Sequence, residues 1–216
     1  MNRKSATFGE FKDYTLAVAR GEHMVDPSEP KVWCEQIEGG EPATSAAATD
    51  ANSHYIHSTL RERIVEHVFI GDALRRLWQR GVTDVEVLRS EFDAGGYDLV
   101  MSYRQVVRHI QLKTILEDGK AARVSVNLKL MEKPAGCVIC IMVSSKLELK
   151  SFRWLGDAPG KPLLLNITKL KVTKYTKGNA KGTKLERPNH RVVPLKRFEP
   201  PVPLDTVLEL LFGPLP

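Results

Sequence analysis

The chain has 216 residues, of which 42% are hydrophobic and 27% are charged, a composition typical of a globular protein with a full core. No apolar run approaches the roughly 18–20 residues that a membrane-spanning helix needs, and we expect no secretion signal at the start. Three cysteines in a domain of this size are typical of free thiols in a reducing compartment, so we expect a cytoplasmic protein. The net charge of +6 permits an anionic partner without requiring one.

Residues 1–50 show little periodicity, and we predict that they form a partly flexible N-terminal extension. Residues 41–48 are rich in alanine, serine and threonine, a composition typical of a linker. Residues 51–216 carry the patterned part of the chain and are expected to form one domain.

Residues 58–80 follow a helical pattern, with Ser58 or Thr59 as the expected N-cap and Gly81 as the stop. Glu66 falls on the apolar side of this helix, where a carboxylate costs free energy unless it meets a cation or a hydrogen-bond donor. Glu66 is therefore a candidate functional residue, and the alternative is that it lies near the helix start and points into water. The predicted apolar side also contains Ile70, Ala73, Leu74, Leu77 and Trp78.

The order of the remaining elements predicts a mixed α/β sheet flanked by helices. The run at 138–143 is continuously apolar, as expected of a central buried strand, whereas 191–195 reads as an edge strand. Val124-Ser125-Val126 allows the start of the helix at 121–133 to be a strand instead. The apolar C-terminal helix could cover its own sheet or supply a dimer interface. The full prediction is strands at 85–89, 97–102 and 107–115, a helix at 121–133, strands at 138–143, 151–155 and 191–195, and a C-terminal helix at 203–212.

Three polar residues are predicted to share one face of the hairpin formed by the second and third strands. Gln111 and Lys113 lie two residues apart, so their side chains project to the same face. If the turn centres on Arg104-Gln105, antiparallel pairing puts Asp98 opposite Gln111. Such a cluster can hold a divalent cation and position a water against a phosphate, although these residue types on a hairpin most often form a solvated face.

This order of elements, with a helical acid, an acid on the second strand and Gln-x-Lys on the third, resembles the PD-(D/E)XK nuclease superfamily over residues 58–155. Within that superfamily, which has the restriction-endonuclease-like fold, the chain is similar to Mrr-type enzymes that carry Gln in the last motif. The resemblance implies that Asp98, Gln111 and Glu66 are catalytic residues that bind the metal. It also implies that Lys113 is the catalytic lysine, and Glu62 is a poorer candidate than Glu66 for the helical acid.

The activity implied by this resemblance is that of a Mg²⁺-dependent (or Mn²⁺-dependent) endonuclease that hydrolyses phosphodiester bonds of double-stranded DNA. Cutting both strands of a duplex would be served by a homodimer. The chain departs from the family pattern at two positions. Tyr97 stands where the family has proline, and Gln111 replaces a carboxylate, which removes one negative charge and is expected to weaken metal affinity.

Two alternatives stay open. In the first, the chain retains the nuclease fold as a catalytically inactive module that binds nucleic acid or a protein partner, which the neutral Gln111 would suit. In the second, the chain is an α/β protein with no nuclease role, and Asp98 and Lys113 face away from each other.

Residues 169–197 carry ten Lys or Arg and a single acid, Glu186. Gly178 and Gly182 give this segment the composition of a loop, and we expect the basic loop 169–191 to neutralise a nucleic-acid backbone. The alternative is a solvated flexible loop. The candidate nucleic-acid contacts are Lys174, Lys177, Lys181, Lys184, Arg104 and Arg108.

Cys137 and Cys140 have the C-x-x-C spacing found in some metal sites. Residues three apart on a strand point to opposite faces, and structural zinc usually needs four ligands. We therefore expect both thiols to pack in the core.

Overall fold

A computed structural model describes residues 57–92, 95–163, 165–175 and 182–216 of the chain. The extension predicted at 1–50 lies outside the described residues. In chain order the elements are α1 (Ser58–Gln79), β1 (Val85–Arg89), β2 (Leu99–Tyr103), β3 (Val106–Leu116), β4 (Arg123–Asn127), a 3-10 helix (Leu128–Glu132), β5 (Gly136–Val143), β6 (Leu149–Leu155), β7 (Val172–Lys174), β8 (Glu186–Pro194), a second 3-10 helix (Leu195–Arg197) and α2 (Leu204–Phe212).

The long helix α1 forms and ends as predicted. Arg80 is its C-cap, and Gly81 follows with φ of +74°, a left-handed conformation that glycine adopts without steric cost. The predicted N-cap is wrong: His57 occupies that position, and the helix start has no side-chain cap from Ser58 or Thr59. Helix α1 is therefore stabilised by its length and by its buried face, and not by a capping box.

The buried face of α1 repeats every four residues and includes the acid Glu66. Trp78 was expected on this face, but it is 70% exposed. Trp78 lies one residue beyond the buried Leu77, which turns its side chain by about 100° around the helix axis and away from the sheet. The buried residues of α1 are Val65, Glu66, Phe69, Ala73 and Leu77.

The main sheet has five strands in the order β1-β2-β3-β5-β6. Strands β1, β2 and β3 form the predicted antiparallel meander, β5 pairs with β3 in parallel, and β6 pairs with β5 antiparallel. The β2–β3 turn falls at Arg104 and Gln105, as predicted, and Arg104 takes a positive φ of 53° there. The predicted mixed α/β sheet flanked by helices is confirmed, and the arrangement is compatible with a restriction-endonuclease-like fold.

A second, three-stranded sheet in the order β4-β8-β7 is the main difference from the prediction. The segment predicted as a helix at 121–133 forms strand β4 and then a short 3-10 helix, so the alternative reading of Val124-Ser125-Val126 as a strand is correct. Strand β8 was predicted as an edge strand at 191–195, but it is the central strand, since β4 and β7 both pair with it. Val124 and Val126 on β4 and Val193 on β8 supply the apolar face that this small sheet packs inward.

Two apolar cores lie on opposite faces of the main sheet. One core joins the sheet to α1 and α2, and the other joins it to the second sheet. The C-terminal helix α2 buries Val207, Leu208, Leu211 and Phe212 in the first core, so it covers its own sheet. Among the described residues, no helix has the length and apolar character needed to cross a membrane.

The two cysteines of β5 are free and buried, as expected. Cys137 belongs to the core beneath the helices and Cys140 to the core beneath the second sheet, so they point to opposite faces. Burial raises the pKa of both thiols to about 12, with smaller opposing effects from nearby cations. They are structural residues of the strand and not a metal-binding pair.

Candidate active site

The site forms where β2 and β3 separate. Strand β3 has eleven residues and β2 has five, and their pairing ends at Leu99 and Ile110. Asp98 precedes β2, and its backbone N–H donates to the carbonyl of Ile110 at 2.9 Å. Continuing the register puts Asp98 opposite Gln111, as predicted. The second half of β3 therefore has a free edge on the side that β2 has left.

The carboxylate of Asp98 occupies this free edge. Its Oδ2 accepts a hydrogen bond from the backbone N–H of Leu112 at 2.6 Å. The side chain thus replaces the next bond of the β-ladder, and the short distance is typical of a charge-assisted bond. This contact holds the carboxylate in the gap between the two strands.

A cleft of about 340 Å³ opens at this gap and brings three of the predicted site residues together, namely Glu66, Asp98 and Lys113. Helix α1 also contributes Glu62 and Arg63 to its lining. The cleft therefore holds carboxylates and cations within one concave surface, which is the arrangement expected of a site that handles a charged ligand.

Glu66 is only 7% exposed and lies between two guanidinium groups. Arg89 Nη2 is 2.7 Å from Glu66 Oε1, an ion pair without hydrogen-bond geometry, and Arg63 Nη1 donates to Glu66 Oε2 at 3.2 Å. The expectation that Glu66 is buried and meets a cation is confirmed. The two arginines offset the desolvation of the acid and compete with any cation that would take it as a ligand.

Gln111 does not belong to the lining of the cleft. Its side chain is 3% exposed, and its Oε1 accepts a hydrogen bond from the backbone N–H of Asn127 at 3.2 Å. Strand β4, which the sequence suggested was a helix, covers Gln111 and supplies this donor. The structure therefore does not bring the Gln111 side chain into one pocket with Asp98 and Lys113, because its amide oxygen is engaged by the donor packed against it.

The oxygen donors of the cleft fit a hard cation in part. Among the described residues, no three His, Cys, Asp or Glu side chains form a metal-binding group. Mg²⁺ often takes only one or two carboxylates and completes its shell with water and substrate phosphate. Asp98 meets that requirement, Leu112 offers a backbone carbonyl beside it, and Glu66 becomes available when it leaves its ion pairs.

Several residues of the cleft and of the Glu66 ion pairs were not predicted from the sequence. Arg63 precedes Glu66 by three residues, a spacing that favours an ion pair on a helix, so a local signal existed. Arg89, at the end of β1, and Ser125, on β4, have no local signal, because only the tertiary fold brings them to Glu66 and to the cleft. Glu91 also lines the cleft.

Tyr97 lines the cleft and packs edge-on against His109, with ring centroids 5.1 Å apart. Burial, with a smaller contribution from Lys133, lowers the pKa of His109. His109 itself does not belong to the cleft lining.

The candidate nucleic-acid contacts divide into three groups. Lys174, Lys184 and Arg104 are exposed, and Lys177 and Lys181 lie outside the described residues. Arg108 is fully buried and donates to backbone carbonyls of α2, so the predicted phosphate contact of Arg108 is wrong. Its position on β3 turns it towards the helices, whereas a phosphate contact requires a solvent-accessible side chain.

No model of a known protein family matches the chain. A search of curated proteins also finds no match. The interpretation of the cleft therefore depends on its own geometry and chemistry.

Proposed function

We propose that this protein is a divalent-metal-dependent nuclease that hydrolyses phosphodiester bonds of DNA. The observation that carries the proposal is that Asp98, Glu66 and Lys113 line a single cleft where β2 and β3 separate. The buried free thiols of Cys137 and Cys140 support a cytoplasmic location. A homodimer would allow both strands of a duplex to be cut.

The residues of the cleft would have different roles in hydrolysis. Asp98 would hold a Mg²⁺ or Mn²⁺ ion together with Glu66 and the carbonyl of Leu112. Such an ion supplies Lewis acidity, which activates water as a nucleophile and withdraws charge from the phosphate. Lys113 lies on the same cleft wall, where its ammonium group orients the attacking water or stabilises the negative charge of the pentavalent phosphate.

A second candidate function is a binding module with the same fold and no cleavage. Two observations favour it. Both carboxylate oxygens of Glu66 face arginines, and the amide oxygen of Gln111 accepts a hydrogen bond from Asn127, so these two predicted metal ligands already have partners within the protein. The cleft also contains Lys113, whose ammonium group can bind a phosphate without hydrolysing it.

Incubation with supercoiled plasmid tests the two candidates. The nuclease proposal predicts nicked or linear product with Mg²⁺ or Mn²⁺ and none with EDTA. Lys113→Ala should slow cleavage by about a hundredfold or more, because charge stabilisation at the phosphate is lost. The control is Lys120→Ala, an exposed lysine outside the cleft, which should cleave as wild type. Plasmid binding without product in either metal would favour the binding module.

The competition for Glu66 makes a separate prediction. Arg89→Gln removes the cation 2.7 Å from Glu66 Oε1, so a divalent ion has one competitor fewer. Mn²⁺ affinity, measured by calorimetry or by the electron paramagnetic resonance signal of free Mn²⁺, is expected to rise by about three- to tenfold. Arg75→Gln is a matched control, because it removes an exposed pair of the same 2.7 Å length, to Asp72. Weaker Mn²⁺ binding by Arg89→Gln would contradict the competition.

A further inference from the structure

One wall of the cleft continues into the second sheet. Ser125, on β4, lines the cleft, and its Oγ donates a hydrogen bond to Thr173 Oγ1 at 3.1 Å. Thr173 is the middle residue of β7. The short strand β7 therefore contacts a residue of the cleft wall through the side chain of Thr173.

Tyr175 follows Thr173 by two residues on this strand. Its backbone N–H donates to the carbonyl of Leu185 at 2.9 Å, which continues the ladder one residue past β7. Alternation therefore puts Tyr175 on the same face of β7 as Thr173, about 7 Å farther along. The tyrosine is 51% exposed, so an aromatic ring is presented to solvent a short distance from the cleft.

Arg187 accompanies this ring. It pairs with Thr173 in the β7–β8 register, and its guanidinium carbon lies over the Tyr175 ring at 5.4 Å from the centroid. Arg187 Nη2 is also 3.1 Å from His190 Nε2. A cation and an aromatic ring are thus held together at the sheet edge, with the exposed Lys174 and Lys184 nearby in the chain.

We propose that Tyr175 and Arg187 form a stacking platform for an unpaired base of a nucleic acid whose backbone enters the cleft. Aromatic rings beside cations are the usual means of binding single strands, since every base has a flat face to stack. Bases of an intact duplex have their faces covered by their neighbours, so the platform selects a single-stranded or locally unpaired ligand. The inference rests on the proposed function in that it takes nucleic acid as the ligand.

Binding of fluorescent oligonucleotides in EDTA tests the platform without cleavage. Tyr175→Ala should lower affinity for a single-stranded oligothymidine by about tenfold or more, and affinity for a duplex by less than about threefold. Tyr175→Phe should bind as wild type, because the ring and not the hydroxyl stacks. Lys174→Ala, a matched phosphate-contact control on the neighbouring residue, should weaken both ligands alike and reduce the salt dependence.

Photo-crosslinking adds a direct readout. Oligothymidine with 5-iodouracil should crosslink to Tyr175, as mapped by mass spectrometry, and the crosslink should survive in Tyr175→Phe. The platform would be overturned if Tyr175→Ala lowered the affinity for single strand and duplex equally, or lowered neither affinity. Absence of a crosslink at position 175 would overturn it as well. Failure of the nuclease proposal looks different, because the plasmid assay then gives no product whatever Tyr175 does.

Discussion

Asp98→Asn is expected to abolish metal-dependent cleavage while the protein stays folded. The substitution removes the negative charge that Asp98 places in the gap between β2 and β3, on the wall of the cleft. Loss of this ligand should slow plasmid cleavage by about a thousandfold or more, which corresponds to about 4 kcal/mol of transition-state stabilisation. Mn²⁺ affinity, measured by calorimetry, should fall with it.

The carboxamide is the right replacement because Asp98 also has a structural contact. Its Oδ2 accepts from Leu112 N–H at 2.6 Å, and an asparagine oxygen can still accept that bond. Asp98→Ala leaves the N–H of Leu112 without this acceptor, so it should cost an additional 1–3 kcal/mol, roughly, in unfolding free energy. A comparison of the two variants therefore separates loss of charge from loss of fold.

The matched control is Asp118→Asn, which changes an exposed acid in the turn after β3 and should leave cleavage unchanged. Cleavage by Asp98→Asn at more than about a tenth of the wild-type rate would contradict the metal role of Asp98. Mn²⁺ binding unchanged by the substitution would contradict it as well.

The hairpin that carries Asp98 and Lys113 was predictable because its information is local. Strands β2 and β3 are joined by the two residues Arg104 and Gln105, and a short turn leaves one register that keeps the apolar residues on one face. The register alone put Asp98 opposite Gln111. Element type and pairing could therefore be worked out from neighbours in the sequence.

The contacts that Gln111 and Glu66 make could not be predicted in this way. The run Val124-Ser125-Val126 is too short for its pattern of apolar residues to distinguish a strand from a helix. It forms strand β4 because it pairs with β8, about 65 residues farther along the chain. That pairing is what covers Gln111 and gives it a donor. Likewise, the Glu66–Arg89 ion pair depends on how α1 packs on β1.

The burial of the Arg108 guanidinium was also not predictable from the sequence. Its position in a basic hairpin suggested a surface role. The side chain is fully buried, and its Nε donates to the carbonyl of Leu211 at 2.8 Å. Its Nη2 donates to the carbonyls of Leu210 and Asp157, each at 2.8 Å. Burial lowers the pKa of Arg108, with weaker opposing effects from Cys137 and Asp157.

Gly213 is the C-cap residue of α2, and the Arg108 side chain donates to the helix's last carbonyls. The last carbonyls of a helix have no partner within the helix, and those of Leu210 and Leu211 belong to the last turn of Leu204–Phe212. A cation at this end also interacts favourably with the helix dipole. The guanidinium lies 5.4 Å from the ring of Trp154, so the same side chain joins β3, β6 and α2 within the first core.

Arg108→Met is therefore expected to lower the free energy of unfolding by about 3 kcal/mol, because it leaves one buried and two partly buried carbonyls without this donor. The methionine fills much of the same volume, so the loss reports on the hydrogen bonds rather than on a cavity. Arg108→Lys keeps the charge but reaches fewer carbonyls, and it should lose about half as much. Urea unfolding measures both changes.

Arg104→Met is the matched control for these variants, since it removes an exposed arginine from the same hairpin and should cost about 1 kcal/mol or less. If Arg108→Met were as stable as wild type, relief from burying a charge would outweigh the three hydrogen bonds, and the stabilising role of Arg108 would be refuted. If Arg108→Met were fully stable but bound nucleic acid more weakly, Arg108 would have to leave the core to reach a phosphate. The hydrogen bonds of Arg108 to the carbonyls of α2 oppose such a movement. The stability loss should appear with hydrogen exchange accelerated in α2, because that helix loses the donor to its last carbonyls.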